Sequence, residues 1–419
     1  MQFLYSLLIA LGTPFILLYF AFRGIRDRFY LRRWGERFGY LPSTIKQGGI
    51  WVHAASVGEF NAAIPLIKSL IATYPGLPLM VTTLTPTGSE RVKTVLGKQV
   101  AHSYIPIDLP GAVARFLCHL QPRLIVIMET EIWPNLYLQA NRSKIPLLMA
   151  NARLSERSVR HFRHAPRFVA RVLQSVTWTG AQSAGDAERF TLCGADQHRT
   201  VTTGNLKFDL DIPANLKANA AVLRSRWTGH RSVLVAGSTH EADEQVVIPA
   251  FLQLLKKRPD ALLILVPRHP ERFSRSAQLA RDAGLKTELR SEGEICSEQA
   301  QCFIIDSIGE LLSYYALGDV AFVGGSMGEV GGHNALEPAA LGIPLLLGPN
   351  MDNARDIAAK LLHCGAALQV TGQEEFKQAA EKILTDDNLA KTMGRCGQNL
   401  VDQNKGALDL TIKAIGKLL

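Results

Sequence analysis

Past residue 48, short apolar runs alternate with longer stretches in which apolar positions recur every three or four residues. The runs predict strands buried on both faces, and the longer stretches predict the helices that cover them. Strands are expected at GIWVHAA (49–55), LPLMVTTL (77–84), AHSYIPID (101–108), RLIVIME (123–129), IPLLMANA (145–152), VTWTGAQ (176–182) and HRTVTTGN (198–205). A second series follows at SVLVAGS (232–238), ALLILVPR (261–268), CFIIDS (302–307), VAFVGGS (320–326), IPLLLGP (343–349) and AALQV (366–370). Such alternation builds parallel βαβ units, so the expected fold class is α/β with two doubly wound, Rossmann-like sheets. Between the two series, LKFDLDIPANLKANA loses the apolar run and carries Pro213, which marks residues 206–220 as a hinge. The expected domains are therefore residues 23–205 and 221–419, preceded by a separate segment, 1–22. Ligands of such sheets bind beyond the carboxyl ends of the strands, and a site is expected in a cleft between the two domains.

The first segment differs in kind. Residues 3–22, FLYSLLIALGTPFILLYFAF, hold no charge, and a helix of that length at 1.5 Å per residue spans about 30 Å of hydrocarbon. It has neither the basic start nor the small-residue cleavage site of a signal peptide, so an uncleaved membrane-anchor helix is expected. Arg23, Arg26, Arg28, Arg32, Arg33 and Arg37 follow it and place the body of the protein on the cytoplasmic side. Gly12 and Pro14 interrupt the segment, and a helix lying in the interface is the competing arrangement.

With 419 residues the chain exceeds one ordinary core, in keeping with two domains. Its net charge of +9 favours an anionic partner such as a phosphorylated substrate or a phospholipid surface. Nucleic acid is not expected, because the arginine cluster is juxtamembrane and no stacking-aromatic motif accompanies it. The six cysteines form no C-x-x-C pair and are read as free thiols.

Candidate chemistry gathers at strand ends. GGSMGEVGGHNALEP (324–338) follows a strand with a glycine-rich loop and then opens a helix at Asn334, Ala335, Leu336 and Glu337, a setting that suits a phosphate and ribose. It is neither a P-loop nor a dinucleotide fingerprint. Pro267 and Arg268 end another strand, where a guanidinium can fork onto a phosphate or carboxylate. Ile308, Gly309 and Glu310 offer backbone amides after a third. Glu59, at the mouth of the first strand, is a candidate general base, although Ser56-x-x-Glu59 is equally a helix capping box. A helix N-terminus also lowers a carboxylate's pKa, which opposes a basic role unless the site is dry. Glu129 and Glu131 close an apolar strand, and Lys207 follows another as a partner for a carboxylate or an anionic substrate. His53, His240, His269 and His333 each stand alone in the sequence, so no metal site is expected. Asp209-Leu-Asp211 is formally a D-x-D but falls in the hinge, and is read as hinge polarity.

With these residues in place, the chain resembles the 3-deoxy-D-manno-octulosonic acid (Kdo) transferases of lipopolysaccharide biosynthesis. HAASVGEFNAA, TTLTPTGSERV, IVIMETEIWPNL, NARLSERS, TGNLKFD, AGSTHEADE, VPRHPERF and GGSMGEVGGHNALEPAALGIP carry the likeness, in that order, over about residues 50 to 355. The resemblance implies a GT-B glycosyltransferase that moves Kdo from CMP-Kdo to the lipid A precursor lipid IVA, with inversion and without a metal or other cofactor, at the inner membrane. It implies Glu59 as general base, with Glu129 and Lys207 assisting at the transition state. It also implies CMP contacts from Pro267, Arg268, Ile308, Gly309, Glu310, Asn334, Ala335, Leu336 and Glu337, and an anionic phospholipid partner. Two other classes stay open: another GT-B enzyme such as a nucleotide-sugar epimerase, and a membrane-tethered nucleotide-sugar-binding protein indifferent to Glu59.

Overall fold

The computed structural model describes residues 1–227 and 231–419; the side chain of Arg26, part of the expected arginine collar, lies outside the described residues. Contacts divide the chain into two units, Met1–Asp209 with Lys405–Leu419, and Leu210–Asn404.

In the first unit, β1 (Ile50–His53), β2 (Leu79–Thr83), β3 (Ala101–Tyr104), β4 (Leu124–Met128), β5 (Leu147–Ala152), β6 (Trp178–Ala181) and β7 (Thr200–Thr202) form a parallel sheet ordered β3-β2-β1-β4-β5-β6-β7. In the second, β8 (Val233–Thr239), β9 (Leu262–Pro267), β10 (Thr287–Leu289), β11 (Cys302–Ile304), β12 (Val320–Val323), β13 (Leu345–Leu347) and β14 (Ala367–Gln369) are also all parallel, ordered β10-β11-β9-β8-β12-β13-β14. Every expected apolar run holds a strand. The addition is β10, a partly exposed edge strand whose Thr-Glu-Leu carries no apolar run.

Alternate residues of β1 feed different cores: Ile50 and Val52 pack on one face of the sheet and Trp51 on the other. Each fully buried apolar side chain of that size stabilises by about 1.5–3 kcal/mol relative to exposure, which is why strands covered on both faces read as continuous apolar runs. The order of building reverses between β1 and β4 in one sheet and between β8 and β12 in the other, so a crevice opens at those strand ends.

The expected boundaries shift at both ends of the second domain. Leu206 is buried in the first unit's core, which draws the start of the expected 206–220 hinge into that unit. The last helix, Ala407–Leu418, leaves the second unit and packs Ala407 and Ile415 into the same core. Asp209 ties the two together: its carboxylate accepts hydrogen bonds from Gly406 N at 2.7 Å and Leu408 N at 2.8 Å. It caps the last helix, which gives it a structural task in place of the hinge polarity expected of it. Replacing Asp209 by Ala is expected to cost about 1–2 kcal/mol in urea unfolding of the detergent-solubilised protein, while exposed Asp211→Ala stays within about 0.5 kcal/mol.

Candidate active site

β1 ends at His53, and three residues later Ser56 caps the helix Val57–Thr73 by accepting from Glu59 N at 3.2 Å. The Glu59 carboxylate reaches back one residue further, to Ala55 N at 2.5 Å. The capping geometry is therefore real, and it does not decide the protonation state. Burial pushes the Glu59 carboxyl up to about 7, with the charge of Glu131 adding to the shift and the Ala55 N–H opposing it. Desolvation outweighs the helix N-terminus, which is the dry setting a carboxylate base requires.

Two more carboxylates end β4 beside it. Glu129 sits in the left-handed region at φ 55°, and Asn151 in β5 does the same at φ 54°. Residues in that region each cost on the order of 1–3 kcal/mol; Glu129 turns the chain out of β4, and Asn151 bulges β5, which resumes pairing at Ala152. Burial raises the Glu129 carboxyl, and the charges of Lys207 and Arg153 oppose the rise. Burial likewise raises Glu131, whose carboxylate lies 4.0 Å from His53 Nε2. That histidine is fully buried and held down to about 3 by desolvation, so it is neutral and offers no counter-charge. Its Nδ1 meets Thr82 Oγ1 at 2.9 Å, whereas its Nε2 and the Asn151 Nδ2 are buried polar atoms without a protein partner. Orphaned groups beside a cluster of carboxylates suit a ligand rich in hydroxyls. Thus Glu59, Glu129, Glu131 and Lys207 come within electrostatic reach of one another in the first unit.

The second unit gathers a different chemistry. Pro267 ends β9; exposed Arg268 follows, its N–H donating to Thr239 O at 3.0 Å. Ile308 and Gly309 are exposed after β11, and the Glu310 carboxylate is held by Ser307 Oγ at 2.5 Å and Arg290 at 3.4 Å. Ala335 and Leu336 are core side chains, leaving only their backbone for a ligand. Asn334 accepts from Leu336 N at 3.1 Å and donates to Glu337 at 3.0 Å, so it occupies an amide expected to face an anion. The glycine loop also spends amides within its own unit. Asp243 takes Gly325 N at 2.7 Å and Met327 N at 3.0 Å, and a Cβ on Gly324 would strike Ser238 O at 2.4 Å. These glycines let the loop close on its own unit, a packing need as much as a binding one.

Three of the four histidines that stand alone in sequence meet here. His240 and His333 stack with ring centroids 5.1 Å apart and Nε2 atoms at 2.9 Å, and His269 lies edge-on to His240 at 5.3 Å. Burial lowers His333 to about 4 and lowers His240 as well, helped by Arg268. These two imidazoles are therefore neutral near pH 7, and the charge an anion would meet here is that of the exposed Arg268. No group of three metal-ligating side chains occurs among the described residues. Only their common position at strand ends could have flagged these histidines in the sequence.

Residues 32–210 match the family described as 3-deoxy-D-manno-octulosonic-acid transferase (kdotransferase), and residues 232–400 match glycosyl transferases group 1. The chain is 37% identical to the 3-deoxy-D-manno-octulosonic acid transferase of Haemophilus influenzae over 97% of this chain and 96% of that one. It belongs to the Kdo transferase family. Against the Bordetella pertussis member the identity is 32%, over 94% and 97% of the two chains. Among solved structures, the UDP-GlcNAc 2-epimerase of Neisseria meningitidis superposes with a TM-score of 0.57 at 13% identity, over 88% of this chain and all of that one, a likeness of fold alone. This Kdo transferase thus carries a GT-B glycosyltransferase fold of two α/β units with an apolar N-terminal helix.

A carboxyl whose folded pKa lies above its unfolded value costs stability as pH rises past the ordinary carboxylate range, and the cost is complete above the folded pKa of about 7. Glu59→Gln keeps an acceptor oxygen and removes the charge. It is expected to raise Tm at about pH 8 and to leave it little changed at about pH 4. Equal effects in paired thermal scans would rule out a buried, protonatable carboxyl.

Proposed function

We propose that this Kdo transferase moves Kdo from CMP-Kdo to lipid IVA, by an inverting, metal-independent displacement, at the cytoplasmic face of the inner membrane. The observation that carries the reading is Glu59, a carboxylate desolvated enough to accept a proton near neutral pH yet held on target by Ala55 N–H. A hydroxyl of the acceptor gives its proton to Glu59 as its oxygen bonds to the anomeric carbon of Kdo. The bond from that carbon to the CMP phosphate breaks, and its electron pair leaves with CMP. Attack on the face opposite the leaving group inverts the centre.

Glu129 and Lys207 assist at the transition state, the lysine, with Arg153 nearby, offsetting negative charge in a site rich in carboxylates. CMP is held by Pro267, Arg268, the backbone of Ile308 to Glu310, and Asn334 to Glu337. Arg268 is suited to the phosphate or to the Kdo carboxylate, both anionic. The acceptor is a phosphorylated glycolipid, and the apolar helix Gln2–Arg26 keeps the enzyme at the surface where that lipid resides.

CMP release from CMP-Kdo, with and without lipid IVA, tests the reading alongside product mass. Acceptor-dependent release is expected, with kcat/KM lowered roughly 10²- to 10⁴-fold in Glu59→Ala. No release and no change in lipid mass from the unaltered enzyme would sink it. The acid limb of kcat/KM is expected near pH 7, because Glu59 must lose its proton, and Glu131→Gln is expected to move that limb to lower pH. Arg268→Ala is expected to raise KM for CMP-Kdo by about tenfold or more, with kcat less affected.

A further inference from the structure

We infer that the N-terminal helix lies in the plane of the cytoplasmic leaflet, docked along its length on the first unit, and does not cross the bilayer. The arginine-rich helix beside it, Pro166–Leu173, and the helix that precedes that one in the chain, Glu156–Phe162, rest on anionic phospholipid headgroups. The inference rests on the membrane attachment proposed above and departs from the single-pass anchor expected of the sequence.

Both ends of the helix are fastened to the same folded body. At its start, Tyr5 OH donates to Asp108 at 2.9 Å, Ser6 to Asn135 at 3.0 Å, and Gln2 to Asn135 at 3.3 Å. Asp108 and Asn135 are buried side chains of the first unit, and Asp108 also accepts from the backbone of Asn135 and Leu136 at 2.9 Å each. Near its end, buried Phe20 lies 4.3 Å under the guanidinium of buried Arg37. A helix crossing about 30 Å of hydrocarbon carries its first turn to the opposite headgroups. Gln2, Tyr5 and Ser6 cannot then reach Asp108 and Asn135, and the three side-chain hydrogen bonds that the helix gives these two buried residues are lost. Docking and crossing exclude each other.

The outward face is the other half of the argument. Phe3, Phe15, Leu18 and Phe22 are 80, 71, 65 and 70% exposed, on the side away from Thr13 and Phe20, which are buried. A helix with one face on protein and a row of large apolar side chains on the other is shaped to sink into a single leaflet. Cations flank it at both ends. Arg157, Arg160, Arg163, Arg167 and Arg171 are exposed, with Glu156 the single acid across residues 156–173, and Phe168 packs on Tyr5 at 5.7 Å between ring centroids. Arg28 and Arg32 are exposed just past the other end. Hydrocarbon under the helix with cations on either side matches the profile of an anionic leaflet.

The test is a protease-cleavable tag placed before Met1 of the full-length chain in a Gram-negative host. Cleavage confined to inverted inner-membrane vesicles is expected. Cleavage in intact spheroplasts would put the N-terminus outside and overturn the in-plane seat, leaving the proposed reaction and its membrane location standing. Recovery of the chain in the soluble fraction would overturn attachment itself, and with it the location proposed above. The purified chain is expected to bind phosphatidylglycerol-containing vesicles over phosphatidylcholine alone, and Arg160→Glu with Arg167→Glu to lower that preference by about tenfold. An unchanged preference would remove the headgroup contact from the inference.

Discussion

Taking the Glu59 carboxylate out of water is the constraint on which the first unit's chemistry turns. A helix N-terminus and the Ala55 N–H favour its anion; burial and the neighbouring carboxylates disfavour it, and they prevail. The balance needs carboxylates crowded at adjacent strand ends, and the parallel sheet provides the crowding by setting β1 beside β4. Glu129 turns the chain out of β4, and Asn151 makes a bulge within β5, both through left-handed backbone that an isolated strand would not adopt. Their ladders, bonded on both sides within a buried sheet, hold them there.

The second unit solves the opposite problem. There the strand ends collect arginine and histidine, and Asp243 is consumed by backbone: it takes His240 N at 2.8 Å as well as the amides of Gly325 and Met327. One buried carboxylate thus pins the helix start after β8 to the glycine loop after β12, while Arg268 stays exposed and His269 lies 4.0 Å from the Glu271 carboxylate.

The chain's two ends both return to the first unit. The last helix completes its core, with Ile415 fully buried, and the first helix covers Asp108 and Asn135.

What the sequence by itself determined is the succession of strands and the class of fold, since strands covered on both faces must be written as unbroken apolar runs. It also placed Glu59, Glu129, Arg268 and the Asn334–Glu337 turn at strand ends as candidates, and the ordered motifs carried the family. The edge strand β10 escaped because a strand exposed on one side needs no such run. Only the tertiary structure decided that His240, His269 and His333 form one cluster, for strand order and not sequence distance sets which strand ends meet. The same holds for the direction of the Glu59 shift, where a cap motif and a desolvated base share one spacing and differ only in what surrounds them. It holds for the N-terminal helix too: hydropathy sums its residues without regard to which of them find partners, and Tyr5 on Asp108 is a contact that no sum contains.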